Sequence, residues 1–526
     1  MYTISSKLKT FSIILMVLGL LGIGYGFLTA PKTIQDVEAI LAAQSHDSHG
    51  AGHGEADGHE IQDDTKIDDP SKHVTGGAAE AAHQETNMRG DASLDANSNS
   101  TLVEASLGSE DSVATAVQPV APVVQARNLT SEQVVSSSSY KKPAKADDAH
   151  AEHQKHLEHV LHQLQNKPWA AFYVACIFFM LISLGVLAFY AVQVVSQAGW
   201  SPVLFRVMQG LTAYLPVGSV IFFLLLLMSA LHFNHLFVWM GEGVTDPNSA
   251  NYDKLVANKS GYLNIPFWLI RAAIFLAGWN FYRYISRKNC LAQDDANDNA
   301  YYKKNFKASA AFLVFFIVTE SIMSWDWIMS FDPHWFSTLF GWYVFASFFV
   351  SGITAICMLT LYLKSLGYLE YVNTSHIHDL AKFMFGISVF WTYLWFSQFM
   401  LIWYANIPEE VTYFVTRIND YPLLFWGAVV MNFVFPILIL INTDFKRISW
   451  ILVMAGIVIL LGHYIDFFNM VMPATVGDQW FIGAAEIGSV MFFLGLFLLV
   501  TFTSLAKAPL LPKRNPFIEE SKHFHY

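Results

Sequence analysis

WAAFYVACIFFMLISLGVLAFYAVQVV, residues 169–195, runs for 27 residues without a charged side chain. About 20 helical residues, each rising about 1.5 Å, cross roughly 30 Å of hydrocarbon. The run is therefore long enough to span a membrane. It lacks the period-2 alternation of a barrel strand, and a backbone in lipid must satisfy its own amides, so the span is expected to be a helix.

Runs of the same kind recur at 11–29, 213–240, 262–282, 308–330, 340–364, 381–405, 422–443, 449–467 and 484–504. With 169–195 they make ten, and the expected fold is an all-α polytopic membrane protein. Composition agrees, with 54% hydrophobic, 15% aromatic and only 14% charged residues and a mean hydropathy of +0.37. The first run follows Lys7 and Lys9, as the apolar part of a signal peptide would. It is long for that role, and Pro31 after Ala30 makes a poor cleavage site, so it is read as a retained span. Its Gly22 and Gly26 form a small-xxx-small pair suited to close helix packing, the alternative being scattered glycine.

The net charge of -11 arises mostly in residues 31–167, and nothing in it suggests nucleic-acid binding. Basic residues divide unevenly between the loops. With the N-terminus inside, one side collects Lys7, Lys9, Arg206, Arg283, Arg287, Lys288, Lys303, Lys304, Lys307, Lys446, Arg447, Lys507, Lys513, Arg514 and Lys522. The short loops opposite hold Lys254, Lys259 and Arg417. Positive charge resists translocation, so both termini are expected in the cytoplasm of a bacterium and 31–167 in the periplasm. The expected plan is a first span at 1–30, an insertion at 31–167, a membrane domain at 168–510 and a cytoplasmic tail at 511–526.

The insertion is rich in Ala, Ser, Asp, Gln and His and poor in aromatics, so it is expected to be largely disordered. Its end differs. Asp147 and Asp148 can cap a helix whose stripe of Leu157, Val160, Leu161 and Leu164 would lie against the membrane or a partner. His46, His49, His53 and His59 lie in the insertion, and His150, His153, His156, His159 and His162 recur every third residue. Steps of three fall about 60° short of a turn, so these five cannot converge on one ion, and no metal site is assigned.

Cys176, Cys290 and Cys357 lie too far apart for an iron–sulfur, zinc or haem attachment motif. The chain is expected to bind no cofactor covalently, leaving electrons to other subunits. Ionisable groups inside the spans are the informative residues, because a charge in hydrocarbon costs several kcal/mol. His232 and His235 stand near the end of the third run, where they can serve chemistry or be satisfied by carbonyls and interfacial water. Arg271 in the fourth run needs a carboxylate, for which Glu320 in TESIMSWDWIMS is the natural choice, with Asp326 nearby and Asp253 in a loop at the same mouth. A quinol loses two protons on oxidation, so its site needs a base and an onward carboxylate. His232 or His235 with Asp253, Arg271 and Asp326 form the candidate quinone set. Glu320, Gln398, His463, Tyr464 and Asp466 form the candidate proton-transfer set. His463 and Asp466, at i and i+3, either relay protons or satisfy each other. Pro436 with Asn432 is expected to kink the eighth helix and free a carbonyl.

Three runs carry a resemblance: ESIMSWDWIMSFDPHWFSTLFGWYVFA at 320–346, HIHDLAKFMFGISVFWTYLWFSQFMLIWYANIPEE at 376–410, and LGHYIDFFNMVMP at 461–473. With the loop at 253–264 they make the chain, over roughly 169–510, similar to the NrfD/PsrC-like membrane subunits. Within that family it resembles the quinone-binding subunit 2 (ActF) of bacterial alternative complex III. The resemblance implies ten helices with two four-helix bundles and flanking helices. It implies packing against a paralogous NrfD-like subunit (ActC), with an iron–sulfur protein and multihaem and monohaem cytochrome c subunits alongside. Haem and iron–sulfur clusters would sit in those partners, menaquinol would be the reductant, and a cytochrome or terminal oxidase the acceptor. The family also implies that the quinol site belongs more to the paralogue, and proton conduction more to this chain. The rival readings are a scaffold subunit without chemistry and a secondary transporter, which would show repeats and broken helices in both halves.

Overall fold

A computed structural model describes residues 2–50 and 146–526, and the side chains of 2–42 and 153–526. The chain divides into two units, Met1–His46 with Asp147–Tyr526, and Asp47–Ala146. The first unit is all-helical, with no strand among the described residues. Ten of its helices are long and apolar enough to cross a membrane. They are α1 (Ser6–Thr29), α2 (Ala146–Val195), α3 (Pro202–Ala230), α4 (Ile265–Gln293), α5 (Ala300–Trp327), α6 (Phe340–Ser365), α7 (Thr374–Ala405), α8 (Pro422–Leu440), α9 (Ser449–Val476) and α10 (Ala484–Leu505).

Two four-helix groups are recognisable from the packing. In the first, α4 packs against α3 and α5; in the second, α6 packs against α7 and α9, and α8 lies against α7 and α9. The flanking helices α1 and α10 pair with each other. α2 belongs to the first group yet touches nearly everything. Tyr173 packs on Phe222 of α3, Phe178 on Tyr464 and Phe467 of α9, Phe179 on Phe497 of α10, and Phe189 on Phe349 of α6. This explains why the sequence of 169–195 is apolar on every face, since 94% of its most apolar window is buried.

Small residues set the closest helix approaches. A Cβ on Gly352 of α6 would lie 2.8 Å from the amide nitrogen of Val186 in α2. Gly22 and Gly26 both face α10, and a Cβ on Gly22 would lie 2.8 Å from the carbonyl oxygen of Ala484. The rest of α1 is apolar and exposed, with Phe11, Ile14, Leu21 and Leu28 pointing away from the protein.

Two expectations change here. The third helix ends at Ala230, not at residue 240, because His232 takes a left-handed backbone (φ 60°) just beyond it. Pro216 also lacks an amide proton, and a 3-10 turn at Thr212–Tyr214 precedes it. Second, the amphipathic stretch, expected to lie against the membrane or a partner, packs its stripe within the chain. It runs without a break through Pro168 into the apolar part of α2, whose 50 residues extend roughly 75 Å, more than twice the hydrocarbon thickness. Its stripe of Leu157, Val160 and Leu164 is covered by Val37 of a helix at Ile34–Gly50, a region where disorder was expected. The rest of the insertion expected to be disordered lies outside the described residues, as do the side chains of His46, His49, His53, His59 and His150.

Residues 511–526 fold back over the face that carries both termini. The Ser521 hydroxyl donates to the Trp200 carbonyl at 2.6 Å, and the Tyr526 hydroxyl donates to Asp379 at 2.7 Å. Buried Arg206 and Asp294 form an ion pair at 2.5 Å on the same side. Trp342, Trp403 and Trp450 are exposed as lipid-facing residues would be, whereas Trp327 and Trp335 are buried in the core.

Replacing Gly488, whose added Cβ would lie 2.8 Å from the Gly19 carbonyl, with Leu should separate α1 from α10 and cost about 1–3 kcal/mol. Thermal unfolding in detergent checks this, with Gly24→Ala, which meets open space, expected to be neutral.

Candidate functional site

The structure does not gather the five residues of the quinone set around one cavity. His232 and His235 lie in the irregular segment after α3 and are exposed. The backbone of His235 is held by Asn166, which accepts from its amide at 3.1 Å and donates to its carbonyl at 3.0 Å. Burial, then the nearby charges of His162 and His232, push the His235 imidazole below the usual histidine value. Asp253 caps the short helix Lys254–Asn258, accepting from the amides of Leu255 (2.8 Å) and Val256 (3.2 Å), and contacts the His334 ring at 2.5 Å. Burial raises its carboxyl, but the Val256 amide, the His334 ring and the Leu255 amide outweigh it and hold the group below the usual aspartate value.

Arg271 does find a carboxylate, but it is Asp326. Glu320 and Asp326 are six residues apart on α5, about 240° around a helix, so only one of them can face α4. Arg271 donates through Nε to Oδ2 of Asp326 at 2.6 Å and through Nη2 to Oδ1 at 2.9 Å. Its remaining nitrogen donates to the Tyr262 carbonyl at 3.1 Å, and the guanidinium stacks on Tyr262 and Phe267. The result is a closed bidentate pair with aromatic lids, a geometry that braces α4 against α5. Glu320 has two hydroxyl partners instead, Ser321 at 3.1 Å and Ser324 at 3.4 Å, and no cation among the described residues.

The proton-transfer set fares differently, because three of its members meet in the second bundle. Asp466 of α9 is buried and accepts three hydrogen bonds, from the Tyr343 hydroxyl, the Ser347 hydroxyl at 2.8 Å and the Trp391 indole N–H at 2.9 Å. All three donors are neutral. His463 lies one turn earlier, its Nδ1 2.9 Å from Ser347 Oγ and 3.9 Å from Asp466. Ser347 has one hydroxyl proton and gives it to Asp466, so it accepts from His463 Nδ1–H. That assignment leaves His463 Nε2 as a buried lone pair without a partner.

Asp466 also lines a small cavity of about 10 Å³, close to the least space that holds a water. Gln398, Tyr413, Arg417 and Asn469 share its wall, and Nε2 of Gln398 has no partner there. Tyr413 and Arg417 also line a second cavity, of about 70 Å³, whose wall reaches Asp332 and Thr412 on the side opposite the termini. Arg417 belongs to the helix Pro408–Asp420 and is buried. Its guanidinium donates to the carbonyls of Asn469 at 2.9 Å and Tyr413 at 2.7 Å and stacks on the Tyr413 ring. Tyr464, the fifth candidate, does not join the set. One residue on from His463, it turns toward α2, packs edge-on against Phe178, and leaves its hydroxyl unpaired.

The expected irregularity in α8 lies beside this site. A π-helical turn at Val430–Val434 precedes Pro436, whose missing N–H cannot bond the Asn432 carbonyl. The Asn432 side chain is buried without a partner against Gly462, next to His463.

Tyr343, Ser347, Trp391, Tyr413, Arg417 and His334 were not singled out by the sequence. They reach the site from separate helices and loops, and no local spacing connects them to Asp466 or Asp253. Among the described residues no three His, Cys, Asp or Glu side chains group as a metal site would require. No protein-family model and no curated protein matches the chain.

If Arg271 and Asp326 act as a brace, Asp326→Asn alone should cost about 3–5 kcal/mol, and Arg271→Met with Asp326→Leu should recover most of it in thermal unfolding. The Asp253 cap, whose folded value lies below the usual 3.8, should be complete above that pH and be lost as pH falls through the lowered value. Amide-exchange protection of Lys254–Asn258 against pH checks this, and Asp253→Ala should remove the pH dependence.

Proposed function

We propose that this chain is an integral membrane subunit of a respiratory quinol:electron-acceptor oxidoreductase of the alternative complex III type, and that its second bundle transfers protons. The carrying observation is the Asp466 cluster, a carboxylate held among helices by neutral donors and open to a water-sized space. A carboxylate paired with an arginine has its charge settled. One held by hydroxyls and an indole can take up and give back a proton without leaving a cation stranded.

In this reading a proton is shared among His463, Ser347 and Asp466, and Tyr343 lines the small cavity beside Asp466. Gln398 orients water in the small cavity, and Arg417 and Tyr413 form the partition before the larger cavity toward the outer loops. The resemblance supports the assignment in a way not visible along the chain. Tyr343, Trp391 with Gln398, and His463 with Asp466 come from its three separate runs and meet in one place. Menaquinol is the proposed reductant. A paralogous NrfD-like subunit, an iron–sulfur protein and cytochrome c subunits are the proposed partners, since the sequence carries no iron–sulfur or haem attachment motif. The bias of basic residues supports a bacterial inner membrane with both termini in the cytoplasm.

The scaffold reading is favoured by one observation, the closed Arg271–Asp326 and Arg206–Asp294 pairs, which do nothing but hold helices together. Asp466→Asn in the assembled complex separates the two. The proton reading expects quinol-dependent cytochrome reduction to fall about a hundredfold with assembly intact. Tyr343→Phe should give a smaller loss. Unchanged turnover in both variants leaves the scaffold.

A further inference from the structure

A second polar feature lies outside this site, on the side away from the termini, where the last turn of α1 and the first turn of α10 meet the middle of α2. A cavity of about 660 Å³ opens there, walled by Tyr25, Pro31, Trp480 and Phe481, with Lys167 and Glu486 in its lining. Lys167 is 6% exposed and its ammonium makes no hydrogen bond. It rests against the Phe481 ring, and the nearest carboxylate oxygen, Oε1 of Glu486, is 4.0 Å away, beyond hydrogen-bond reach. Glu486 is 3% exposed; its Oε2 accepts from the Gly483 amide at 2.8 Å and caps α10, while Oε1 has no partner. A buried cation and a buried anion thus stand side by side with the ammonium and one carboxylate oxygen lacking hydrogen bonds, which is costly unless something else fills them.

Glu486 also lines a second space. A groove of about 470 Å³ runs between α2, α9 and α10, past Phe178, Ile182, Leu461, Ile487 and Leu494, and its wall exposes no polar surface. A pocket carrying one positive and one negative group therefore adjoins an apolar groove at Glu486. An anionic head would meet the Glu486 charge about 4 Å from its own partner. A head with both signs satisfies both residues.

We propose that this crevice binds a zwitterionic phospholipid, its phosphate on Lys167, its ammonium on Glu486, and an acyl chain in the groove. The lipid completes the seam where α1 and α10 meet α2, and the two buried charges are its recognition elements.

The full chain, purified in mild detergent within its complex, should retain about one phosphatidylethanolamine per chain by native mass spectrometry and lipid extraction. Lys167→Met should lower occupancy about tenfold, as expected for loss of a charge-assisted contact, and Lys167→Arg should preserve it. Glu486→Gln keeps an oxygen for the Gly483 amide but loses the charge, so its preference should move toward phosphatidylglycerol. The proposal is overturned if the native chain holds no stoichiometric phospholipid, if Lys167→Met leaves occupancy unchanged, or if a quinone is recovered in its place. Should Lys167→Met fail to fold, the Glu486→Gln headgroup preference decides, and an unchanged preference overturns the proposal.

Discussion

A polar group inside hydrocarbon has only the protein to pair with, and that constraint fixes how these helices meet. The Arg271–Asp326 pair sets the register of α4 against α5, because two parallel hydrogen bonds tolerate little sliding. Asp466 does the same for three helices at once, drawing Tyr343 and Ser347 from α6 and Trp391 from α7 onto α9. Buried Arg417 is satisfied by the carbonyls of Asn469 and Tyr413, where α9 approaches the loops opposite the termini. Around these fixed points most of the packing is apolar, with α2 as the shared core of both bundles.

The two bundles solve the same problem differently, and the difference bears on function. In the first, opposite charges close on each other under aromatic lids. In the second, one carboxylate is held by uncharged donors, with an unpaired imidazole nitrogen nearby and a small space beside it. The first arrangement favours permanence and the second favours exchange, because a proton can arrive or leave without breaking an ion pair. The Lys167–Glu486 pair is a third case, in which both charges are buried but too far apart to satisfy each other.

Much of the fold was legible in the sequence because the physics of a span is local. Hydropathy and length placed ten helices, and those at 340–364 and 484–504 differ from α6 and α10 by a single residue. The errors lie where backbone geometry overrides hydropathy. LHFNHLFVW continues the apolar character of α3, yet the chain turns at His232 and removes His232 and His235 from any helix face. The choice of Glu320 over Asp326 as the Arg271 partner ignored the rotation between them. Of the Asp466 site, the sequence offered only what is near Asp466 along one helix, together with Gln398. Its actual partners come from 75 to 123 residues away, and only tertiary structure brings them in.

The central claim is that Asp466 exchanges a proton during turnover. Quinol-driven infrared difference spectra of the assembled complex test it most directly, because a carboxyl that gains or loses a proton leaves its own band. A turnover-linked carboxyl band that disappears in Asp466→Asn is the predicted result. A band that survives Asp466→Asn would contradict the account.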